Sequence, residues 1–246
     1  MSRPKIICHM HTLLNGKIDG IANPTDIGMR SQKLYFDLML GKERYYSQHR
    51  GWISGTGTSR AFLGDVSDVV LPEPTEPVPA GDFIADPDAT MHYFAVDRKG
   101  SLKWDRSSFN YFDVEAHIVE LIPNSVSDAF KAHLRSVGVS YIIAGDSELD
   151  MAEAVRKIGE VFHTEEIILG GGGTLNWSML RQGLCDELSL VLMPTADGER
   201  HTHSLFEAND DFTTPAPYEF ALKNVEALED GSVWLSYDVV GEIDDD

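Results

Sequence analysis

The sequence predicts a single α/β domain whose sheet is mostly parallel and ends in an antiparallel hairpin. Apolar stretches of strand length alternate with stretches of helical periodicity over most of the chain, the pattern of strand–helix–strand units. Two later stretches, 218–228 and 232–240, are joined through Glu229-Asp-Gly231 and predict the hairpin. No internal repeat divides the chain, so one domain is expected to span residues 1–246, with a frayed acidic tail at about 242–246.

The first elements follow from local sequence signals. Residues 4–12 are apolar on both faces, which is typical of a central strand. Asn15-Gly16 has turn chemistry, and Asp26 is placed to cap a helix running to about residue 40. A short strand at 52–54 then enters Gly55-Thr-Gly-Thr58, after which a short helix is expected.

The middle of the chain continues the alternation around one irregular segment. Residues 71–88 hold five prolines among acidic residues and are expected to form an extended surface excursion rather than a domain boundary. The predicted elements after it are a strand at 92–97, a strand at 117–122, a helix at 127–136, a strand at 139–144 and a helix at 150–162.

Net charge, the length of apolar runs and the cysteines exclude several classes of protein. The 246 residues carry a net charge of −20, and such a field repels nucleic acid and anionic membranes, so neither is expected as a partner. No apolar run approaches the roughly 20 residues that cross a bilayer, and the N-terminus does not predict a secretory signal. Cys8 and Cys185 form no Cys-x-x-Cys pair, which argues against a disulfide framework or structural zinc and favours the cytoplasm.

Four consecutive glycines are the most informative local feature. They follow an apolar strand at 167–169 and precede a helix and a second strand at 188–193. Free N–H groups at the start of such a helix favour an anion, typically a phosphate, although a flexible turn of packing glycines explains the run equally well. Asn15 and the Gly55–Thr58 segment also follow predicted strands. Because ligands of parallel sheets bind beyond the carboxyl ends of strands, this coincidence favours a binding loop.

Other candidate residues have both a functional and a packing interpretation. His9 and His11 lie on one face of the first strand, but a metal site needs further ligands, so no metal is expected. His11 is closer to the strand's carboxyl end and is the better candidate for a substrate contact. Arg30 and Lys33 could hold a substrate phosphate or simply form a solvated helix face. Trp52 and Trp177 could stack on a ligand ring or pack in the core.

Three segments together resemble a known family. Residues 6–17 (ending Leu-Leu-Asn-Gly-Lys), 52–58 (Trp-Ile-Ser-Gly-Thr-Gly-Thr) and 171–176 (Gly-Gly-Gly-Thr-Leu-Asn) are similar to the dihydrofolate-reductase-like fold. With Gly183-Leu-Cys-Asp-Glu-Leu188, they resemble more narrowly the reductase domain of the bifunctional riboflavin-biosynthesis deaminase-reductase. The zinc signature of the deaminase half, His-x-Glu with Pro-Cys-x-x-Cys, does not occur, so deamination is not expected.

The resemblance implies a three-layer α/β fold, a homodimer and an NADPH-dependent reductase. The implied reaction is that of a 5-amino-6-(5-phosphoribosylamino)uracil reductase, with hydride transfer to the ribosyl group of a pyrimidine intermediate. The implied cofactor-binding residues are Gly55, Thr56, Gly57, Thr58, Arg98 (for the adenosine 2′-phosphate), Gly171, Gly172, Gly173, Thr174, Leu175 and Asn176. The substrate-binding candidates are His11, Thr12, Asn15, Arg30 and Gly170, and no catalytic residue is assigned.

Three departures from the family pattern concern the substrate side. Asn15 replaces the acid of Ser-Leu-Asp-Gly, Gly170 replaces a Glu before the glycines, and Ala61-Phe62-Leu63 replaces an acidic pair. An asparagine positions a hydroxyl but carries no charge. Two alternatives therefore stand beside the riboflavin-pathway activity. One is an NADPH-dependent reductase of another small substrate, a pterin or folate or a carbonyl or imine, and the other is a non-catalytic ligand-binding relative.

Overall fold

The computed structural model describes residues 3–63, 70–208 and 217–243. The chain groups into two compact units, one formed by Met1–Pro4 with Gln48–Ile167 and the other by Lys5–Ser47 with Ile168–Asp246. That one domain spans residues 1–246 stays a prediction. Of the expected acidic tail, residues 244–246 lie outside the described residues.

Ten strands and five helices alternate along the chain. The strands are β1 (Lys5–Leu13), β2 (His49–Gly55), β3 (His92–Val96), β4 (Ser108–Tyr111), β5 (Val114–Ile122), β6 (Ser140–Ile143), β7 (Glu166–Leu169), β8 (Glu187–Met193), β9 (Tyr218–Ala227) and β10 (Val233–Glu242). The helices are α1 (Asp26–Leu40), α2 (Thr56–Leu63), α3 (Asp128–Val137), α4 (Met151–Phe162) and α5 (Gly173–Arg181). The predicted fold class, an α/β protein with a mostly parallel sheet and a C-terminal antiparallel hairpin, is confirmed.

The first unit contains the strand order β4-β5-β3-β2, with β6 also paired to β5. The pairs β2/β3, β3/β5 and β5/β6 are parallel, and β3 is buried along its whole length, as expected where both faces of a parallel sheet are covered. The antiparallel strand β4 was not predicted. Its turn to β5 is Phe112-Asp113, both with positive φ (46° and 64°), and this pair lacks the Asn-Gly signal usual for such a turn.

The second unit contains the strand order β1-β8-β10-β9. The strands β1 and β8 are parallel, with Ile7 opposite Glu187 and Leu13 opposite Met193, so their carboxyl ends meet at one edge. The hairpin β9/β10 is antiparallel and adds to β8 through β10. Its turn contains Gly231 at φ +88°, a conformation that favours glycine.

Side-chain caps explain where most helices begin. The predicted cap of α1, Asp26, is wrong by one residue, because the hydroxyl of Thr25 accepts the hydrogen bond from the Gly28 N–H and Asp26 lies in the first turn. Ser127 and Asp150 cap α3 and α4 in the same way, as the sequence predicts within a residue. The helix α5 begins after Gly172 with no side-chain cap.

The proline-rich excursion is anchored rather than wholly extended. Its described residues contain neither helix nor strand, as predicted, but Phe83 exchanges both backbone hydrogen bonds with Tyr141 of β6. The guanidinium of Arg135 lies 4.5 Å from the centre of the Phe83 ring. Separately, no helix in the described ranges is both long and apolar enough to cross a membrane.

Candidate functional site

The segments that follow β1 and β8 hold each other in place at the carboxyl edge of the second unit. The N–H of Leu14 donates to the carbonyl of Thr195 (2.8 Å), and the Asn15 side-chain amide donates to the carbonyl of Asp197 (2.9 Å). The ammonium of Lys17 contacts the Asp197 carboxylate at 2.7 Å and lowers the pKa of that carboxyl. A carboxylate at position 15 could not donate to a carbonyl, so the structure gives the asparagine a role of its own.

Two glycines of the run are required by the protein's own structure, one by its backbone conformation and the other by packing. A Cβ on Gly171, which has φ +88°, would lie 2.8 Å from Cε of Met10, and one on Gly173 would lie 2.2 Å from the Ser204 carbonyl oxygen. At Gly172 the nearest atom, Cδ1 of Ile18, is 3.7 Å away. The positive φ therefore explains Gly171 and the rigid Ser204 carbonyl explains Gly173, whereas Gly172 is the position with room beside its backbone.

The start of α5 carries the remaining predicted loop residues. Thr174 is exposed, while Leu175 and Asn176 are buried and Gly170 is half-buried. The Asn176 amide donates to the carbonyl of Leu205 at 3.0 Å, and its oxygen is buried without a partner among the described residues. The uncapped helix start thus combines backbone N–H groups, a positive dipole end and an exposed hydroxyl, a combination suited to an anion.

Buried polar atoms without partners concentrate in this unit. Within the described ranges, seven buried side-chain polar atoms lack a hydrogen bond, and six of them are Thr12 Oγ1, Asn23 Oδ1, Asn176 Oδ1, Thr195 Oγ1, Asp197 Oδ2 and Thr202 Oγ1. All six belong to the end of β1 or to segments that follow β1, β7 and β8. A buried polar atom without a partner is costly, so such a cluster favours a polar ligand or bound water.

The two histidines of β1 are both buried and have different partners. His9 stacks on Tyr35 with ring centres 4.3 Å apart, and its nitrogens lie near Ser189 Oγ (2.8 Å) and the Tyr35 carbonyl (2.9 Å). Nε2 of His11 lies 2.9 Å from Ser31 Oγ in α1. Burial lowers the pKa of His11 to about 4, although the charge of Asp230 acts to raise it, so this imidazole is neutral at pH 7.

The part of the chain that the structure describes contains no group of three His, Cys, Asp or Glu side chains placed to hold a metal ion. His201 and His203, on the loop after β8, are both exposed, and Nδ1 of His203 pairs with Glu207 at 2.8 Å.

In the first unit, the Gly-Thr-Gly-Thr segment forms the junction of β2 and α2. The hydroxyl of Thr56 donates to the Val96 carbonyl at 2.7 Å, so it serves the fold. Gly57 is exposed with open space around its α-carbon, and Thr58 is half-buried. Gly57 and Thr58, with the half-buried Gly55, are therefore the positions of this segment that a ligand could reach.

Arg98 follows β3 and is exposed, as a ligand contact would require. The preceding residue, Asp97, is buried and accepts hydrogen bonds from the N–H groups of Ser101 (2.5 Å) and Leu102 (2.7 Å). This carboxylate fixes the turn in which Arg98 lies.

The remaining candidates separate into packing and surface positions. Trp52 is buried and packs edge-on against Tyr93, and Phe62 stacks on Phe109, so the aromatic side chain at position 62 completes a cluster in the first unit. Arg30 is exposed on α1. The exposed Lys33, its neighbour in the phosphate hypothesis, forms an ion pair with Asp37. Trp177 is half-buried and packs against Tyr218 and Phe206.

Sequence reasoning missed several polar residues of this edge. Lys17 pairs with Asp197, 180 residues away in the sequence, and Ser31 with Ser232, 201 residues away. Such pairs leave no local spacing signal, because only the parallel pairing of β1 with β8 and the hairpin's addition to β8 bring them together.

Solved structures of similar fold include two bacterial proteins and one from yeast. A pyrimidine reductase-like protein from Corynebacterium diphtheriae shares 15% identity with a TM-score of 0.59, over 96% of this chain and 92% of its own. The RibD protein of Acinetobacter baumannii shares 16% identity with a TM-score of 0.59, and the match covers 97% of this chain and 58% of that protein. The riboflavin biosynthesis reductase of Saccharomyces cerevisiae shares 14% identity with a TM-score of 0.50, and the match covers 97% of this chain and 90% of that protein.

These structural similarities support the fold, and a sequence-family model shows the family to which the chain belongs. The model of the RibD C-terminal domain matches residues 106–234, more than half of the chain, from before β4 to within β10. The match ends in the hairpin that pairs with β8 and includes the glycine run. The chain belongs to the RibD C-terminal domain family.

Proposed function

We propose that this protein is an NADPH-dependent reductase that transfers hydride to the ribosyl group of a phosphoribosylaminopyrimidine, as in 5-amino-6-(5-phosphoribosylamino)uracil reduction. Membership of the RibD C-terminal domain family supports the class of reaction. The observation that carries the proposal is the uncapped start of α5, the helix in which the Asn176 oxygen is buried without a partner among the described residues. An anionic group would suit the helix start, and a hydroxyl or amide donor on the same ligand would satisfy the Asn176 oxygen.

The residues of the second unit fit the diphosphate of such a cofactor. Backbone N–H groups from Gly172 to Leu175 would hold the phosphate oxygens, and the exposed hydroxyl of Thr174 would add a donor. The cofactor would supply the hydride, so the tasks of the protein are placement and electrostatics. Gly57, Thr58 and Arg98 of the first unit stay predicted cofactor contacts, with Arg98 for the 2′-phosphate.

The substrate side of the proposal rests on His11 and Thr12. The hydroxyl of Thr12 is buried without a partner in the described part of the chain, and His11 keeps 8% of its surface exposed. Asn15 would act indirectly, because its amide is engaged with the Asp197 carbonyl.

A second candidate activity, reduction of a different small substrate with the same cofactor, is favoured by the aromatic side chain of Phe62. It packs on Phe109 and Tyr93, where the family pattern has an acidic pair. A screen of pterins, dihydrofolate and simple imines beside the pyrimidine substrate separates the two activities. Faster NADPH oxidation with one of these compounds would replace the first proposal with the second.

The cofactor is tested by calorimetry and thermal unfolding with NADPH and NADH in parallel. At a hundredfold excess over the dissociation constant, a ligand that binds only the folded state stabilises it by about 2.7 kcal/mol. We expect NADPH to give this gain and NADH a smaller one. Absence of binding by either would leave the non-catalytic ligand-binding alternative.

The loop itself is tested by Gly172→Val, which places a side chain at the position with room beside its backbone. We expect the Kd for NADPH to rise at least about tenfold, equivalent to 1.4 kcal/mol, with little change in melting temperature. The matched control is Ala221→Val, an exposed position on β9, for which neither quantity should change. Unchanged affinity in Gly172→Val would remove the loop from the cofactor site.

A further inference from the structure

A buried chain of hydrogen bonds connects β1 with the turn between β9 and β10. Nε2 of His11 lies 2.9 Å from Ser31 Oγ, and Ser31 Oγ lies 2.8 Å from Ser232 Oγ. Ser232 Oγ donates to the Asp230 carboxylate at 2.8 Å, and its N–H donates to the other carboxylate oxygen at 2.9 Å. Both serines are completely buried, so water does not compete for these bonds.

The Asp230 carboxylate fixes which group donates and which accepts in every hydrogen bond of this series. A carboxylate only accepts, so the single hydroxyl proton of Ser232 is directed at Asp230. Ser232 must then accept from the hydroxyl of Ser31, which uses the single proton of Ser31. Ser31 is left as an acceptor, so Nε2 of His11 must carry the proton that completes the chain.

The other ring nitrogen of His11 follows from this direction. The imidazole is neutral at pH 7, because burial lowers its pKa to about 4. A neutral ring with its proton on Nε2 has a lone pair on Nδ1. Nδ1 forms no hydrogen bond within residues 3–63, 70–208 and 217–243, and His11 retains 8% of its surface at the edge where β1 ends.

We propose that Asp230, Ser232 and Ser31 are positioning residues that hold His11 as the Nε2–H tautomer, and that Nδ1 accepts a hydrogen bond from a hydroxyl or amino group of the substrate. The identity of that substrate rests on the proposed function. A sugar hydroxyl or an exocyclic amine supplies such a hydrogen, whereas a carbonyl oxygen or a phosphate dianion does not. His11 therefore recognises a donor, and the proton that follows hydride transfer comes from another source.

The tautomer is measured directly by ¹H–¹⁵N correlation spectra of the histidine rings in the ligand-free protein. Protonated and unprotonated ring nitrogens have well-separated ¹⁵N shifts, and His11→Asn identifies the His11 signals among the nine histidines. We expect Nε2 protonated and Nδ1 unprotonated at pH 7. Ser232→Ala should give a mixture of tautomers, whereas Ser236→Ala, a buried serine of the same hairpin outside the chain of bonds, should not. A wild-type ring protonated at Nδ1 would overturn the proposal.

The ligand contact is measured with 5-amino-6-(5-phosphoribosylamino)uracil and NADPH. We expect Ser232→Ala to raise the KM for the pyrimidine roughly three- to tenfold, as for one lost hydrogen bond, with the Kd for NADPH unchanged and Ser236→Ala like wild type. His11→Asn, which places an amide near the Nδ1 position, should retain more affinity than His11→Leu.

Two further outcomes separate this proposal from the proposed function. If wild-type protein reduces the pyrimidine but saturating substrate and NADP⁺ leave the Nδ1 shift unmoved, the ligand contact is wrong while the reductase activity stands. If wild-type protein does not oxidise NADPH with this compound, the proposed function fails, and the tautomers of wild type and Ser232→Ala still decide whether the chain of bonds positions His11.

Discussion

Asn15 shows how one amide can take over a position where the family pattern has an acid. Its donor bond to the Asp197 carbonyl lies beside the Lys17–Asp197 ion pair, so the loop after β8 is fixed from two sides. The residue acts on the site through this loop. Its chemistry is that of a donor, which the acid of the family pattern cannot supply.

Asn15→Asp is expected to lower the free energy of unfolding by about 1 kcal/mol, because the donor to the Asp197 carbonyl is lost and a second carboxylate enters the loop. Urea unfolding at pH 7 measures the change. Asn15→Ser, which keeps a hydroxyl donor without adding charge, should have the smaller effect. Equal midpoints for wild type and Asn15→Asp would show that the bond does not stabilise the loop.

Glu120 is a buried carboxyl of the first unit, and one of its oxygens is the seventh polar atom without a partner among the described residues. Trp104 Nε1 donates to one of its oxygens, and the other has no partner among the described residues. Burial, reinforced by the charge of Asp97, raises the pKa of Glu120 well above its usual range, although the Trp104 bond acts in the opposite direction. The native state therefore binds this proton more tightly than the unfolded state does.

Such a group destabilises the protein as pH rises. Stability should fall from about pH 4.3, the ordinary pKa of a glutamate, up to the raised native pKa, and stay level above it. Glu120→Gln cannot ionise, so it should be more stable than wild type at pH 8 and lose the advantage near pH 4. The control is Glu115→Gln, an exposed residue on the same strand, which should follow wild type. A pH-independent difference between Glu120→Gln and wild type would contradict this account.

At the scale of elements, the glycine run combines two kinds of glycine. Gly171 and Gly173 have neighbours where a Cβ would lie, and Gly172 does not. Sequence alone cannot separate them, because the atoms that fill the space come from Met10 and Ser204, far away in the chain.

Gly173→Ala is expected to destabilise the protein by about 1–3 kcal/mol, because its Cβ would meet the rigid Ser204 carbonyl at 2.2 Å. Gly172→Ala, with its nearest neighbour at 3.7 Å, should change stability by less than about 0.5 kcal/mol. Thermal unfolding of the two variants side by side measures the contrast. Equal losses would show that the loop backbone, rather than the Ser204 contact, requires glycine at both positions.

Most of the fold could be predicted because its signals are local. Helical spacing gave α3 and α4 within a residue or two, and alternation with an Asp-Gly turn gave the hairpin. The strand β4 was missed since Phe112-Asp113 is an uncommon pair for a turn with two positive φ values. Of the proposed site, the glycine loop and His11 have signals in the sequence, whereas Ser31, Ser232 and Asp230 have ordinary local sequences and acquire their proposed role only through strand pairing.

At the scale of the whole molecule, charge is the dominant property. A net charge of −20 opposes compaction by self-repulsion, and the ion pairs described above offset only part of it. A further group of ion pairs surrounds a buried carboxylate, that of Glu187, with two partly exposed lysines. Glu187 meets Lys5 and Lys223, both at 2.6 Å, and although burial acts to raise the pKa of Glu187, bonds from Lys223, Lys5 and Tyr46 hold it at about 2.

The exposed charge and the buried Glu187 carboxylate predict different responses. Added salt screens the surface, so the melting temperature at 0.3 M NaCl should exceed that at 0.01 M, where the Debye length is about 30 Å. The stabilisation from Glu187 is present above about pH 4.3 and is lost as pH falls through about 2. In Glu187→Gln this acid-dependent loss should disappear. A melting temperature that falls with salt would mean that attractive pairs outweigh repulsion.

The expected homodimer is a separate prediction. Sedimentation should give about twice the chain mass of 27.3 kDa. Because each copy carries the same negative charge, association should strengthen with ionic strength. A species of single-chain mass at all salt concentrations would remove the dimer from the proposal.

The pairing of β1 with β8 also has a consequence for folding during synthesis on the ribosome. Ile7 pairs with Glu187, so the first strand to be synthesised waits for a partner that is made about 180 residues later. At roughly 5–20 residues per second, that interval is about 9–36 s, during which a strand that is almost wholly buried in the folded protein lacks its partner β8. Residues Gln48–Ile167, a compact unit of their own, are completed in the meantime. Nascent chains stalled just before Glu187 should therefore bind a general chaperone through the N-terminal strand, and chains stalled after β8 should release it.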